Sequence, residues 1–379
     1  MEFAFYNPTK IIFGKGKIAE IGTELAAYGA KKILLIAGNG SIRKNGVYEQ
    51  VVSSLQSNNL QWSEVWGVQP NPTLTKVNEI ISIAKKENTD SILAVGGGSV
   101  IDTAKAVAAG FYVANAWNLF EGKDSIRQTL PLFTVLTISA TSTEMDPYAV
   151  ITNEKEKKKW AITSDLLYPV VSIIDPSAQT SLPWNQTVNG AVDGISHIME
   201  FYFLGKAQET TFAINDSLTT TIIKMTDELQ KDHCNLTARS NLACALTLAL
   251  NGISGAGLLN GDWSVHTIEH AVSAIHQEVA HGAGLAVIFP AWILYMHHYN
   301  PETFKRWAKN IWHCNNVPDA VKKMREKYSL WGAPISLTAL GIEKEEIPKI
   351  AENATQKGPI RSFRPLTKED VEKILNLAL

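Results

Sequence analysis

The stretch SILAVGGGSVIDTAKAVA, residues 91–108, decides the fold of this 379-residue chain. Its first five residues form a short apolar run of the kind that a strand buried on both faces requires. Three glycines follow, Gly96, Gly97 and Gly98, and a helical pattern then runs on through Ala109. Working outward, the same alternation recurs. Lys32–Ala37 (KILLIA) reads as a buried strand ending in glycine, Val47–Ser57 as a helix, and residues 61–68 as a β-rich segment that closes at Pro70-Asn71-Pro72. Residues 74–88 have amphipathic helical spacing, and 132–138 and 170–174 are two more short apolar runs. Strands alternating with helices predict a parallel sheet covered on both faces. Beyond Pro183 the texture changes to long helical periodicities, over 188–202, 211–229, 237–252, 266–275, 284–298 and 301–310, with no run of strands. The reading is an N-terminal α/β domain over 1–183 and an all-α domain over 184–379.

Composition narrows the function. With 45% hydrophobic and 19% charged residues the chain can bury a large core, which excludes a disordered protein. Thirty-five Lys and Arg against 37 Asp and Glu, with no basic block, predict no nucleic-acid partner and no anionic membrane partner. The one dense charge run, residues 154–159 (EKEKKK), reads as a solvated turn. Cys234, Cys244 and Cys314 form no CxxC pair and read as packing residues in a reducing cytosol. The opening MEFAFYNPTK does not have the make-up of a signal peptide, and no stretch is apolar enough to span a bilayer, so a cytoplasmic location is expected.

Three segments of the α/β half carry candidate chemistry. Gly96-Gly97-Gly98-Ser99 joins a strand to a helix, where glycine lets the backbone approach a phosphate and the helix N-terminus offers free N–H groups. It matches neither GxGxxG nor a Walker loop, and a merely tight turn is the competing reading. Gly38-Asn39-Gly40-Ser41 ends an earlier strand. An acid at such a place holds a ribose 2′-hydroxyl, and a 2′-phosphate needs that acid absent. Asn39, with Arg43 and Lys44 nearby, therefore suits NADP better than NAD if the adenosine ribose lies here; an exposed turn is the alternative. The hydroxyl-rich TISATSTE, residues 137–144, could bind phosphate or cap a helix.

The helical half carries a metal-type pattern. Asp193 and His197 lie four residues apart, so they share one helix face. His266 and His270 repeat that spacing, and His276 and His281 follow closely. Imidazoles with one carboxylate suit Zn²⁺ or Fe²⁺. HTIEH at 266–270 is not the HExxH zincin motif, because its Glu269 stands in the wrong place, and no G-x-S-x-G or flanked cysteine marks a nucleophile.

Taken together, FYNPTKIIFGKG at 5–16, the PNP turn, GGGSVIDTAKAVA at 96–108 and NGAVDGISHIME at 189–200 make the chain resemble the iron-containing (group III) alcohol dehydrogenases. NGISGAG at 251–257, GDWSVHTIEHAVSAIH at 261–276 and HGAGLAVIFP at 281–290 extend the resemblance nearly end to end. It is nearest to the NADPH-dependent butanol dehydrogenase and broad aldehyde reductase branch. The resemblance implies a Rossmann-like parallel-sheet domain followed by an all-α metal-binding domain, the dehydroquinate synthase-like fold. It implies that Asp193, His197, His266 and His281 ligate one divalent ion, Fe²⁺ or Zn²⁺, and that His270 faces the substrate or relays protons. It also implies cofactor contacts from Gly97, Gly98, Ser99, Asp102, Thr137, Ser139, Thr141, Asn71 and Lys159. Residues Gly38, Asn39, Gly40 and Ser41 would surround the adenosine ribose, where NAD-preferring relatives carry Asp in place of Asn39.

The chain departs from the family's TxPxTGSE loop at Ser139, Ser142 and Thr143, and NADPH-using relatives often carry Gly where Asn39 stands. The expected activity is hydride transfer between NADP(H) and a primary alcohol or aldehyde such as butanol or butanal, with NAD also possible, by a homodimer acting on small molecules. The rival expectations are an NAD-dependent polyol dehydrogenase of the glycerol type and a metal- or nucleotide-binding sensor without turnover. A lyase related to dehydroquinate synthase needs several cations about its substrate, and few Lys or Arg lie between 193 and 281.

Overall fold

A computed structural model describes residues 2–258 and 261–379. The chain divides into two compact units. One comprises Tyr6–Leu182 together with His233–Thr247; the other comprises the residues up to Phe5, Pro183–Asp232 and Leu248–Leu379. The single linear division expected after residue 183 therefore leaves out one exchange: residues 233–247 group with the α/β unit although they are helical and follow the boundary.

The α/β unit is built on six strands: β1 (Lys10–Phe13), β2 (Lys32–Ala37), β3 (Gln61–Val65), β4 (Ser91–Gly96), β5 (Leu132–Leu136) and, after a separate antiparallel hairpin of β6 (Tyr148–Asn153) and β7 (Lys158–Thr163), β8 (Val171–Ile174). The six lie in the order β1-β8-β5-β4-β2-β3 and every pairing is parallel. Helices α1 (Ile21–Tyr28), α2 (Ser41–Lys44), α3 (Val47–Ser57), α4 (Leu74–Glu87), α5 (Gly98–Gly110) and α6 (Trp117–Phe120) connect them. Ile33, Leu35, Leu93 and Val95 pack with Val47, Val51 and Leu55 of α3 in one core. The alternate residues Leu34, Ile36, Ile92 and Ala94 pack with Val77 and Ile80 of α4 and with Ile101 and Ala104 of α5 in the other. Both pleat faces are covered, which is why these strands read as unbroken apolar runs.

That division of helices fixes a special place. β2 and β4 are neighbours, with Ala37 opposite Val95. The chain leaves β2 through the α3 face toward β3 and leaves β4 through the α5 face toward β5. Such a point, where adjacent strands send their connections to opposite faces, opens a crevice beyond their carboxyl ends. The 38–41 turn and the 96–99 turn are the two segments that leave it.

The helical unit contains α7 (Trp184–Tyr202), α8 (Glu209–Lys231), the end of α9 (Leu236–Ala249), α10 (Ser264–Ile275), α11 (His281–Met296), α12 (Pro301–Trp312), α13 (Val317–Trp331), α14 (Ile347–Ala354) and α15 (Lys368–Asn376). The last three lie beyond the periodicities read from sequence. Among the described residues only an isolated bridge, Ile360 to Leu366, has β character after residue 183. Nearly every residue of α7 from Thr187 to Tyr202 is buried, as expected of a helix surrounded by others. A Cβ at Gly282 would stand 2.2 Å from Asn189 O, so α11 crosses α7 backbone to backbone at its first turn.

Two sequence readings need correction. Residues 154–157 do form a turn, but 158 and 159 belong to β7, and Lys159 is buried rather than solvated because its strand packs its side chain inward. Of the three cysteines, only Cys314 is buried; Cys234 and Cys244 are exposed, and all three are free thiols.

Candidate metal and nucleotide sites

In the helical unit, α7, α10 and α11 bring together the residues that the sequence singled out. Asp193 Oδ1 lies 3.5 Å from His197 Nε2, 3.9 Å from His266 Nε2 and 3.6 Å from His281 Nε2. These separations are too long for hydrogen bonds. They are close to the spacing between donors that share one tetrahedral ion, about 3.3–3.6 Å for bonds of about 2.0–2.2 Å. Asp193, His266 and His281 have donor atoms all within 4.8 Å of one another. His197 reaches the same carboxylate and stacks on the ring of His266, with centroids 4.9 Å apart. Asp193 Oδ1 and His266 Nε2 are buried and have no hydrogen-bond partner. A buried donor set with its lone pairs unused is costly unless a cation takes them.

Each of two imidazoles is aimed by a carboxylate that the sequence reading overlooked. Glu200, fully buried on α7, contacts His266 Nδ1 at 2.7 Å. The same carboxylate accepts the N–H groups of Trp263 at 2.8 Å and His266 at 3.2 Å, and so caps the start of α10. Glu269, also fully buried, holds His281 Nδ1. Gly284 makes room for it, since a Cβ there would stand 2.8 Å from Glu269 Cγ. With Nδ1 engaged, each ring presents Nε2 toward Asp193, the arrangement that fixes tautomer and direction in metal-binding histidines. Trp263 adopts left-handed backbone geometry with φ of 59°, a conformation costing about 1–3 kcal/mol for such a residue, and the hydrogen bond to Glu200 helps to hold it. Glu200 stands seven residues after Asp193 and Glu269 three after His266; acids at helical spacing within otherwise apolar helices were the available signal.

The electrostatics favour a cation. Burial works against ionisation of Asp193, yet His197, His281 and His266 around it hold its carboxyl well below the usual range. Burial pushes the His197 imidazole down to about 3, keeping it neutral. Burial also opposes charge on His266, but Asp193 and Glu200 overcome it and draw that ring up to about 9. Asp193, Glu200 and Glu269 are three buried carboxylates within one cluster, and their field attracts positive charge to this point. The donor set therefore fits a divalent ion of the Zn²⁺ or Fe²⁺ type. His270 lies beside it, half-buried, 5.3 Å from the His281 ring and 6.4 Å from that of His266, and forms a second close group with Glu269 and His281.

In the α/β unit the remaining candidates gather at the carboxyl ends of the strands. Gly97 and Gly98 lie under the 138–141 segment: a Cβ at Gly97 would stand 3.1 Å from Ile138, and one at Gly98 2.7 Å from Thr141 Oγ1. The two motifs thus form one layered structure, with Ser99 at the start of α5 and Thr137 hydrogen-bonded through its N–H to Gly96 O at 3.0 Å. Ser139 accepts from Gln179 at 2.9 Å. Asp102 points into the protein, accepting from Thr143 Oγ1 at 2.7 Å and Val150 N–H at 3.0 Å, so both oxygens brace the loop that follows Thr141. Lys159 Nζ donates to Asn71 Oδ1 at 3.0 Å, joining two candidates 88 residues apart. Gly38 is half-buried, whereas Asn39 and Ser41 are exposed; Gly40, with φ of 97°, turns the chain into α2.

Comparison with known proteins agrees with both units. Residues 8–176 match the family model described as iron-containing alcohol dehydrogenase, and residues 187–379 match the C-terminal model of the Fe-containing alcohol dehydrogenase family. A probable NADH-dependent butanol dehydrogenase of Bacillus subtilis is 38% identical, with 100% of this chain and 99% of the relative covered. The NADPH-dependent aldehyde reductase YqhD of Escherichia coli is 30% identical over 94% of this chain and 93% of its own. The crystal structure of an NADH-dependent butanol dehydrogenase A from Thermotoga maritima superposes with a TM-score of 0.97 at 47% identity, covering 100% of this chain and 98% of that one. No described helix is long and apolar enough to cross a membrane. With both halves of the chain matched, the protein belongs to the iron-containing alcohol dehydrogenase family and is by that membership an NAD(P)-dependent alcohol dehydrogenase.

Proposed function

We propose that the protein transfers hydride reversibly between NADP(H) and a primary alcohol or aldehyde of the butanol and butanal class, with one Fe²⁺ or Zn²⁺ held by Asp193, His197, His266 and His281. The observation that carries the reading is the convergence of three imidazole Nε2 atoms on the unpartnered Asp193 Oδ1. When bound, the ion supplies Lewis acidity to the substrate oxygen and the nicotinamide supplies or accepts the hydride. Glu200 and Glu269 keep Nδ1 of His266 and His281 engaged, so that Nε2 is the free donor on each ring. Burial of Asp193, His197 and His266 excludes water from the reacting oxygen. His270, half-buried and outside the set around Asp193, is the group that would exchange a proton with that oxygen. In the α/β unit, the N–H groups at the start of α5 and the hydroxyls of Ser99 and Thr141 would hold the pyrophosphate, and Lys159 with Asn71 the nicotinamide side.

The substrate class follows the relatives named butanol dehydrogenase and aldehyde reductase. The phosphorylated cofactor is supported by this chain's own residues: no acid stands in the 38–41 turn, although several similar relatives are named NADH-dependent. The test is steady-state oxidation of NADPH and NADH against a panel of straight-chain aldehydes, with metal analysis of the protein. Chelation should abolish turnover and Fe²⁺ or Zn²⁺ restore it; full activity in verified metal-free protein would overturn the reading.

A further inference from the structure

Beside the 38–41 turn, four side chains form a constellation that the core does not require. Arg43, in α2, lays its guanidinium carbon 4.0 Å from the ring centroid of Trp66 and 5.1 Å from that of Tyr48. The two rings meet edge to face, 5.4 Å apart. Behind them Glu64 accepts from Tyr48 Oη at 2.7 Å, Trp62 Nε1 at 3.0 Å and Trp66 Nε1 at 2.9 Å. Its other approach is to Arg43 Nη2, at 3.8 Å. The three donors hold the Glu64 carboxyl below its ordinary value, against the opposing effect of burial. The platform is bonded to the turn itself. Gly67 N–H donates to Gly38 O at 3.1 Å, Val68 N–H to Ala37 O at 3.2 Å, and Arg43 N–H to Gly40 O at 3.2 Å.

A surface arginine paired to a carboxylate at this distance gains little stability from the pair. What the arrangement does achieve is orientation. The planar guanidinium rests on an aromatic face, its counter-charge sits behind the rings, and its side chain is 54% exposed, leaving N–H groups for an outside anion. A stacked guanidinium has less rotamer freedom to lose when it forms a two-pronged contact with a phosphate monoester. An arginine near a ribose turn that lacks an acid is the usual means of accommodating a 2′-phosphate.

We propose that Arg43 is the specificity-determining residue for the adenosine 2′-phosphate of NADP(H), and that Trp66, fixed by Glu64, is the positioning residue that presents it. The proposal rests on the reading of residues 38–41 as the adenosine-ribose turn. It concerns only the α/β unit, so it can be tested without metal, aldehyde or turnover.

Calorimetric binding of adenosine 2′,5′-bisphosphate and of 5′-AMP to the full chain provides the measurement, read as the ratio of the two affinities. The wild type should favour the bisphosphate by about tenfold or more. Arg43→Gln should bring the ratio close to one, and Arg43→Lys, which keeps the charge without the planar fork, should leave an intermediate value. Trp66→Leu should lower the ratio severalfold while Trp66→Phe keeps most of it, a rescue that a purely structural role for the ring would not produce in a ratio. Equal ratios in wild type and Arg43→Gln would overturn the proposal and leave the nucleotide site standing. A wild type that prefers 5′-AMP would overturn it as well. If neither nucleotide binds, the adenosine reading of the turn fails and the proposal fails with it.

Discussion

At the ends of β2 and β4 the groups available for binding are main-chain N–H groups, glycines and small hydroxyl side chains; around Asp193 they are imidazoles, two of them aimed by buried carboxylates. The first region owes its position to topology. Adjacent strands sending their connections to opposite faces open the crevice whatever side chains stand there, and the residues mainly need to be small. The second owes little to topology alone. Helices cross in many ways, and a three-imidazole cluster forms only because Gly282 lets α11 touch α7 and Glu200 and Glu269 turn the rings. Substitutions in the two regions should therefore fail differently: abruptly where a buried side chain is the working part, gradually where the backbone is.

The largest effect should come from Asp193→Asn. It removes the carboxylate that three Nε2 atoms face, and the amide offers an N–H where a lone pair is needed. Turnover should fall by about a thousandfold or more with metal content near zero, since ligand loss removes the whole Lewis-acid contribution. Adenosine nucleotide binding, measured in the same preparation, should hardly change. A variant that keeps its metal and its rate would erase the contrast between the two regions.

Asp262 gives the second effect, on stability. It closes the turn before α10, accepting from Ser362 Oγ at 2.5 Å and from the N–H groups of Ser264 and Phe363 at 3.2 and 3.1 Å. Burial, reinforced by the charge of Glu200, raises its carboxyl to about 6 against these hydrogen bonds. The unfolded chain gives up this proton near pH 4 and the folded chain near pH 6, so stability falls as pH rises through that window and levels off above it. The difference corresponds to at most about 3 kcal/mol. Asp262→Asn lacks the titration, so its stability relative to wild type should improve between pH 4 and 7 in denaturant unfolding. Parallel curves would show that the site is solvated.

How much of this was legible in the chain follows the same contrast. The runs KILLIA and SILAV, each followed by glycine, announced β2 and β4 because both pleat faces are covered, and strand-end glycines marked the crevice. β1 and the β6–β7 hairpin went unread. β1 is an edge strand of four residues with no buried position, and the hairpin's pattern is interrupted by charges that partly sit in its turn. Around Asp193, histidine spacing pointed to the right residues, but nothing local revealed Glu200 or Glu269. An acid on a helix reads as solvent-facing until the neighbouring helix that buries it is known.

Glu269→Gln should separate orientation from ligation. An amide in place of the carboxylate keeps the shape beneath Gly284 but weakens the contact to His281 Nδ1. Metal affinity should drop by about 10- to 100-fold, with turnover recovering at high metal concentration. The equivalent change at Glu200 should add a loss of melting temperature, because that carboxylate also caps α10 through Trp263 and His266 N–H. Equal melting temperatures in the two variants would mean that the cap contributes nothing.

The smallest effect is expected where the backbone does the binding. A methyl group at Gly98 would stand 2.7 Å from Thr141 Oγ1 and 2.9 Å from its Cγ2, so Gly98→Ala must push the 138–141 segment away from the start of α5. The obstruction is a side chain rather than main chain, so the segment can yield. Cofactor KM should rise by about tenfold, equivalent to about 1.4 kcal/mol, with metal content unaltered. Removing Thr141 Oγ1 and Cγ2 in Gly98→Ala/Thr141→Ala takes away the two closest contacts, and most of the KM should return if crowding is the cause. Thr141→Ala alone should then be the milder single variant. If the double variant is instead as poor as the sum of both, Thr141 holds the cofactor with its own hydroxyl, and the strand-end region depends on side chains more than its topology suggests.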